Sequence, residues 1–305
     1  MNYDDLLDDE VRAFIARTGA LYPPEAVDFT VAQQRRFYDA LCQEFDVRRP
    51  EGVAVRDDDA DGVAVRLYEA GSPGATVVYF HGGGFVVGGL DSHDSICAEI
   101  CAGTGYRVVS ADYRLAPEHV HPAHFDDAVT AARWALGRYD GAVVLAGDSA
   151  GGNLAAAVAQ ALRGTPDAHR ITGQVLIYPG LGGEMTRGSY VDHARAPGLS
   201  TADVLFYRDI RAGGPAPEGD PTFAPLQDTD FSGLPPTLII SAACDPLADD
   251  GRDYRDAIRA AGGRAEWINE AGLIHGYLRA RFISAKARDS FARIVAGIQC
   301  LGQGL

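Results

Sequence analysis

Five residues, Gly147-Asp148-Ser149-Ala150-Gly151, join an apolar run, Ala142 to Ala146, to a helix-like run, Asn153 to Leu162. A strand, a tight turn and a helix in that succession leave the chain few options. The residues flanking the serine must be small, and the serine is pushed out at the carboxyl end of the strand, where a substrate can reach it. Val143-Val144-Leu145 is apolar throughout, as expected of a strand covered on both faces. A second glycine-rich stretch, His81-Gly82-Gly83-Gly84-Phe85, directly follows the strand-like Thr76 to Phe80.

The rest of the chain fits around that unit. Strand-like runs are Val53–Val55, Val63–Tyr68, Thr76–Phe80, Arg107–Ser110, Ala142–Ala146, Gln174–Tyr178, Thr237–Ala242 and Ala265–Ile268. Helix-like runs lie at Asp94–Gly103, His124–Tyr139, Asn153–Arg163, Gly251–Ala261 and Ile283–Cys300. The alternation predicts an α/β fold: a mostly parallel eight-stranded sheet flanked by helices. The first two strands read as an antiparallel edge pair joined by an acidic turn, Asp57 to Gly62. Two segments fall outside the alternation. Residues 1 to about 45 read as amphipathic helix, with Leu7, Val11, Phe14 and Ile15 on one face. Residues 181 to about 225 are inserted between two strands; they hold a helical run, Thr201–Ile210, and close on a surface loop by composition, Gly213 to Pro221.

Composition narrows the partners. A net charge of −15 repels polyanions, so nucleic acid is not expected to bind. No run approaches the length of a membrane span, and Met1 to Asp5 lack the basic start of a signal peptide, so a cytoplasmic protein is expected. Lys286 is the one lysine and lies far from the motifs, which argues against Schiff-base chemistry. The five cysteines, Cys42, Cys97, Cys101, Cys244 and Cys300, form no C-x-x-C pair and read as buried reduced thiols rather than metal ligands. The glycines at 82–89 match neither phosphate-loop pattern.

A serine hydroxyl needs a base within hydrogen-bond reach, and the base needs an orienting acid. On a strand–turn–helix serine the partners follow in the order Ser, Asp or Glu, His. Only His169, His193 and His275 follow Ser149, and only His275 sits in a loop after a late strand, Gly272 to Gly276. Asp245 comes first after the strand Thr237–Ala243 and is the expected acid. Asp249 and Asp250 fall at the start of the next helix, where acids serve as caps. Ala150 offers a backbone N–H at a helix start, and Gly82 to Gly84 can bring their backbone close to a developing oxyanion. His81 is expected to order that loop by hydrogen bonding.

With these residues in hand the chain resembles the hormone-sensitive-lipase-like family of α/β-hydrolases, in its bacterial carboxylesterase and lipase branch. The matching stretches are His81–Phe85, Asp112-Tyr113-Arg114-Leu115-Ala116-Pro117-Glu118, Gly147–Gly152, Asp245-Pro246-Leu247 and His275-Gly276. The resemblance implies a triad of Ser149, Asp245 and His275 and an oxyanion hole of Gly83, Gly84 and Ala150. It implies an N-terminal cap segment, 1–45, a catalytic domain, 46–180 and 226–305, and a helical cap insertion, 181–225. It implies a pairing of Asp112 with Arg114 that fixes the oxyanion loop. The implied activity is a serine carboxylesterase acting on short- to medium-chain acyl esters through an acyl-enzyme, without metal or cofactor. Amide deacylation or lactone opening would use the same triad, and a non-catalytic small-molecule receptor would be expected to have lost part of it. The expected partner is a small-molecule ester. Phe14, Phe37, Phe206 and Tyr207 are candidates to line the substrate pocket, and an exposed last strand could pair two subunits as a homodimer.

Overall fold

The computed structural model describes residues 1–23 and 28–304. Residues 24–27, part of the expected N-terminal cap segment, lie outside the described residues. Eight strands form one sheet: β1 (Ala54–Ala60), β2 (Val63–Glu69), β3 (Ala75–Phe80), β4 (Arg107–Ala111), β5 (Ala142–Asp148), β6 (Ile171–Ile177), β7 (Thr237–Cys244) and β8 (Ala265–Ile274). Their order is β1-β2-β4-β3-β5-β6-β7-β8. β1 and β2 run antiparallel to their neighbours, and β3 to β8 are mutually parallel. The serine-bearing strand β5 therefore lies in mid-sheet, and every residue of β5 after Ala142 is buried, as its unbroken apolar run requires.

Nine helices are described: α1 (Asp9–Leu21), α2 (Val31–Glu44), α3 (Asp94–Thr104), α4 (Ala123–Arg138), α5 (Ala150–Leu162), α6 (Ser189–Asp192), α7 (Thr201–Ala212), α8 (Ala248–Ala260) and α9 (Ala285–Gly302). One face of the sheet packs against α3 and α9, and Leu7, Val11, Phe14, Leu41 and Phe45 of the N-terminal segment join that core. The other face packs against α4, α5 and α8. Local signals set the helix starts. Asp8 accepts from Val11 N at the start of α1, and capping boxes open α2 (Thr30 with Gln33) and α7 (Ser200 with Asp203).

Two strands differ from the sequence reading. The acidic stretch is not a turn: Asp57, Asp58 and Asp59 continue β1, and the reversal is made by Asp61 and Gly62 alone, at φ 54° and 95°. Two adjacent positive-φ residues are what a two-residue hairpin turn demands. The acids fit a strand because this is the sheet's edge; Asp57 lies opposite Arg66 and pairs with it at 2.7 Å. β8 runs six residues beyond the expected Ile268. Its polar Glu270 is buried against Arg293 of α9, 2.7 Å away, so the polar interruption does not end the strand.

The insertion after β6 is closed at its base, where Leu226 N donates to Leu181 O at 3.0 Å. Besides the expected helix, now α7, it carries the short α6.

Candidate active site

The site forms where strands β3, β5, β7 and β8 end. Ser149 takes φ 55° and ψ −116°, a positive-φ conformation in which a residue with a β-carbon is strained. The turn holds because its backbone is pinned: Ser149 N donates to Ile177 O at 2.8 Å, and Asn153 N donates to Ser149 O at 3.1 Å. A β-carbon on Gly147 or Gly151 would strike the carbonyl of Phe80, so both positions require glycine.

Sheet register assembles the remaining groups. Cys244 of β7 pairs with Ile274 of β8, so Asp245 and His275 leave neighbouring strands side by side. His275 Nδ1 lies 2.7 Å from Asp245 Oδ2, and His275 Nε2 lies 2.9 Å from Ser149 Oγ. Asp245 is fully buried, and its second oxygen accepts from Leu247 N at 2.9 Å. Of the other two histidines, His169 is exposed and bonded to Pro166 O, and His193 meets Tyr3 Oη at 3.2 Å. The structure thus brings together the three side chains that chain order had selected.

Gly83 and Gly84 take φ 125° and 62°, and Gly84 lines the same cavity as Ser149 and Ala150. Among the described residues the N–H groups of Gly83, Gly84 and Ala150 have no protein acceptor. Two anchors hold this loop. The first is Asp148, buried in the middle of the serine turn. It accepts from Tyr79 Oη at 2.8 Å and from Gly82 N at 3.0 Å, and it lies 3.2 Å from His93 Nε2. Burial acts to raise its carboxyl, but the neighbouring His93 and the Tyr79 hydrogen bond outweigh burial and keep it below the usual range. The second anchor is the 112–118 loop. Tyr113 Oη donates to His81 O at 2.7 Å, its ring stacks on His81 at 4.2 Å, and Ala116 N donates to Phe85 O at 2.8 Å. His81 does order the loop, with Nδ1 2.7 Å from Gly82 O, and burial holds its pKa down to about 3, so the ring is neutral.

Several expectations need correction. Arg114 does not pair with Asp112; it reaches Asp127 of α4 at 2.7 Å, and Tyr113 between them is the residue that touches the oxyanion loop. Asp249 and Asp250 lie in the first turn of α8 but do not cap it: the N-cap is Leu247, with no side-chain cap hydrogen bond. Asp249 Oδ2 accepts from Ser189 N at 3.0 Å, and Asp250 Oδ2 accepts from Leu181 N at 2.7 Å and from Tyr190 Oη at 3.1 Å. Both tie the insertion to the first turn of α8. Cys300 is exposed, whereas the other four cysteines are buried.

A cavity of about 690 Å³ opens beside Ser149, walled by Gly84, Phe85, Arg211, Phe223, Leu247 and Tyr207 among others. Of the four aromatic candidates only Tyr207 is on its wall: Phe14 packs on Phe45, Phe37 on Phe29, and Phe206 behind Tyr207. The loop expected to be mere surface supplies Pro215, Ala216, Pro217 and Glu218 to the wall. Tyr207 lies directly over Gly84, where a β-carbon would come within 2.6 Å of its ring, and its hydroxyl meets Tyr22 Oη at 3.2 Å. From α2, Arg35 Nε donates to Val86 O at 2.9 Å and the side chain pairs with Glu118 at 2.7 Å. The roles of Asp148 and Arg211 escaped sequence reasoning, and Tyr113 was noted only as part of the 112–118 stretch, with the loop contact given to Asp112 and Arg114 instead. Asp148 carried a signal as the one charged residue of an otherwise small-residue turn.

A family model described as an α/β hydrolase fold matches residues 77–279. The chain is 38% identical over 238 residues to the carboxylesterase NlhH of Mycobacterium tuberculosis, covering 73% of this chain and 72% of the relative. It is 33% identical over 252 residues to the ethyl acetate hydrolase of Pseudomonas putida, covering 79% of each. A solved hyperthermophilic esterase from the archaeon Pyrobaculum calidifontis superposes with a TM-score of 0.88 at 31% identity, over 97% of this chain and 99% of the other.

Proposed function

The chain belongs to the hormone-sensitive-lipase-like branch of the α/β-hydrolases and hydrolyses carboxylic esters, and we propose that it does so through Ser149, His275 and Asp245 on short- to medium-chain acyl esters. The observation that carries this reading is the unbroken relay from Asp245 through His275 to Ser149 Oγ, at 2.7 and 2.9 Å. Nε2 of His275 takes the hydroxyl proton as Ser149 Oγ attacks the ester carbonyl carbon. The carbonyl oxygen becomes an oxyanion, which the N–H groups of Gly83, Gly84 and Ala150 receive. Collapse of the tetrahedral intermediate breaks the bond to the alkoxy oxygen, and His275 gives that oxygen its proton. Water, deprotonated by the same imidazole, then releases the acid and restores the serine. Asp245 keeps Nδ1 protonated and stabilises the imidazolium without taking its proton.

The cavity volume falls in the range of small-molecule sites, about 300–1,000 Å³. The Pseudomonas putida relative is named for ethyl acetate, which supports a short acyl chain. In this reading residues 1–45 and 181–225 form a cap, whose Tyr22–Tyr207 contact closes over Gly84. A graded series of p-nitrophenyl acyl esters tests the proposal. The wild-type enzyme should turn over the short members fastest, and a folded Ser149→Ala enzyme should lose turnover. Equal turnover by that variant would refute the assignment of the nucleophile.

A further inference from the structure

Arg211 is a buried cation with no counter-ion among the described residues. It lies in the last turn of α7 and lines the cavity, yet it is only 3% exposed. Its guanidinium sits 3.7 Å from the ring centre of Phe85 and 4.3 Å from that of Phe223. Nε donates to His124 Nε2 at 3.0 Å, Nη1 to Phe223 O at 2.8 Å, and Nη2 to Asn153 Oδ1 at 3.2 Å and Thr222 O at 3.3 Å. Every one of these partners is neutral. Burial, with Arg211 beside it, pushes the His124 pKa down to about 2, so that ring carries no charge either.

A guanidinium has five N–H groups. Four are used here, and the second N–H of Nη1 has no acceptor among the described residues. No carboxylate among them forms an ion pair with Arg211. Asp220, the acid that acts on it through space, is engaged with His121 at 3.1 Å and with Thr222. The carboxyl end of α7 and the two ring faces offset part of the cost of burial. They do not neutralise the charge, and buried charges are ordinarily paired. Burial pulls the Arg211 pKa down to about 9, which leaves it cationic at neutral pH. Asn153, which Arg211 grips, stands one helical turn from Ser149, so the charge lies within a small substrate's length of the nucleophile. The cavity's own acids, Glu184 and Glu218, are exposed.

We propose that Arg211 forms a carboxylate-binding subsite in the wall of the cavity beside Ser149, and that the preferred esters carry a carboxylate on one of their two arms. This rests on Ser149 being the nucleophile. The substrate's carboxylate would supply the missing counter-charge and accept the free Nη1 N–H.

Two substrate pairs decide between the arms. The acyl arm is read by the mono-p-nitrophenyl ester of glutaric acid against p-nitrophenyl pentanoate. The alcohol arm is read by 4-acetoxybutyrate against butyl acetate, followed in a pH-stat. One pair should show kcat/KM favouring the anionic ester by about 10- to 100-fold, the range of a charge-assisted hydrogen bond. Arg211→Gln should bring that ratio close to one, and Arg211→Lys, which keeps the charge, should retain part of it. Neutral esters turned over with no preference in either pair would overturn the subsite and leave the esterase reading standing. Failure on all four esters would sink both. A folded Arg211→Gln enzyme with an unchanged ratio, including one that loses both substrates equally, would also overturn the subsite. Should that variant not fold, competition in the wild-type enzyme reads the same point. Against p-nitrophenyl butyrate, monomethyl glutarate should inhibit at about tenfold lower concentration than dimethyl glutarate, and equal potency would overturn the proposal.

Discussion

Gly84 carries two constraints at once: its backbone is at φ 62°, and its missing β-carbon makes room for the ring of Tyr207. Gly84→Ala should therefore displace either the oxyanion loop or Tyr207. With one donor out of place, kcat for a p-nitrophenyl ester should fall about 100- to 1000-fold, while circular dichroism stays native. A variant within a few-fold of the wild-type rate would remove Gly84 from the oxyanion hole. At this scale the sequence was most informative about the groups proposed to react. Chain order alone separated His275 from His169 and His193, since each fold of this kind visits its strand ends in a fixed succession. It said nothing of Arg114's partner: the nearer acid, Asp112, was favoured over Asp127, which a helix brings back from thirteen residues on. Arg211 acts across a long sequence separation and leaves no local pattern, and the 112–118 motif did not single out Tyr113 within it.

The secondary-structure elements were legible wherever burial was uniform. β3 and β5 are covered on both faces and read as continuous apolar runs. β1 failed the same test because an edge strand is free to be acidic, and β8 because Glu270 is buried by pairing rather than by being apolar. The N-terminal helices were recognised as amphipathic, but their role is larger than covering one end of the sheet. Leu7, Val11, Phe14, Leu41 and Phe45 are buried in the core shared with α3 and α9. Each such side chain contributes about 1.5–3 kcal/mol. Five of them together rival the whole net stability of a domain, about 5–15 kcal/mol. Deleting residues 1–45 should thus expose an apolar wall and yield aggregated protein. A soluble, cooperatively melting truncation would show that the segment is only a peripheral cover.

Over the whole molecule, acidity should work through buried histidines. His81, His93, His121 and His124 all have pKa values lowered chiefly by burial. The folded protein keeps His81 and His124 neutral down to about pH 3 and disfavours protonation of the other two, whereas the unfolded chain binds protons below about pH 6.5. Their contribution is present at pH 7 and is lost as the pH falls from about 6.5 toward 3. Asp250 opposes this. Burial raises its carboxyl to about 7, so the folded state holds a proton there that the unfolded chain releases above about pH 4. That group favours the fold as pH falls from 7 to 4. Tm should accordingly drop between pH 7 and pH 4.5, and more steeply in Asp250→Asn. A Tm that holds or rises on acidification of either protein would contradict this assignment of neutral histidines.

The joined base of the insertion, where Leu226 meets Leu181, has a consequence for descent. A loop whose ends already touch can be lengthened, shortened or exchanged while the flanking strands β6 and β7 stay in register, since added length costs little closure entropy. The proposed triad sits on strand ends that such a change leaves in place. Selection can thus retune which ester is accepted while the reaction itself is inherited unaltered.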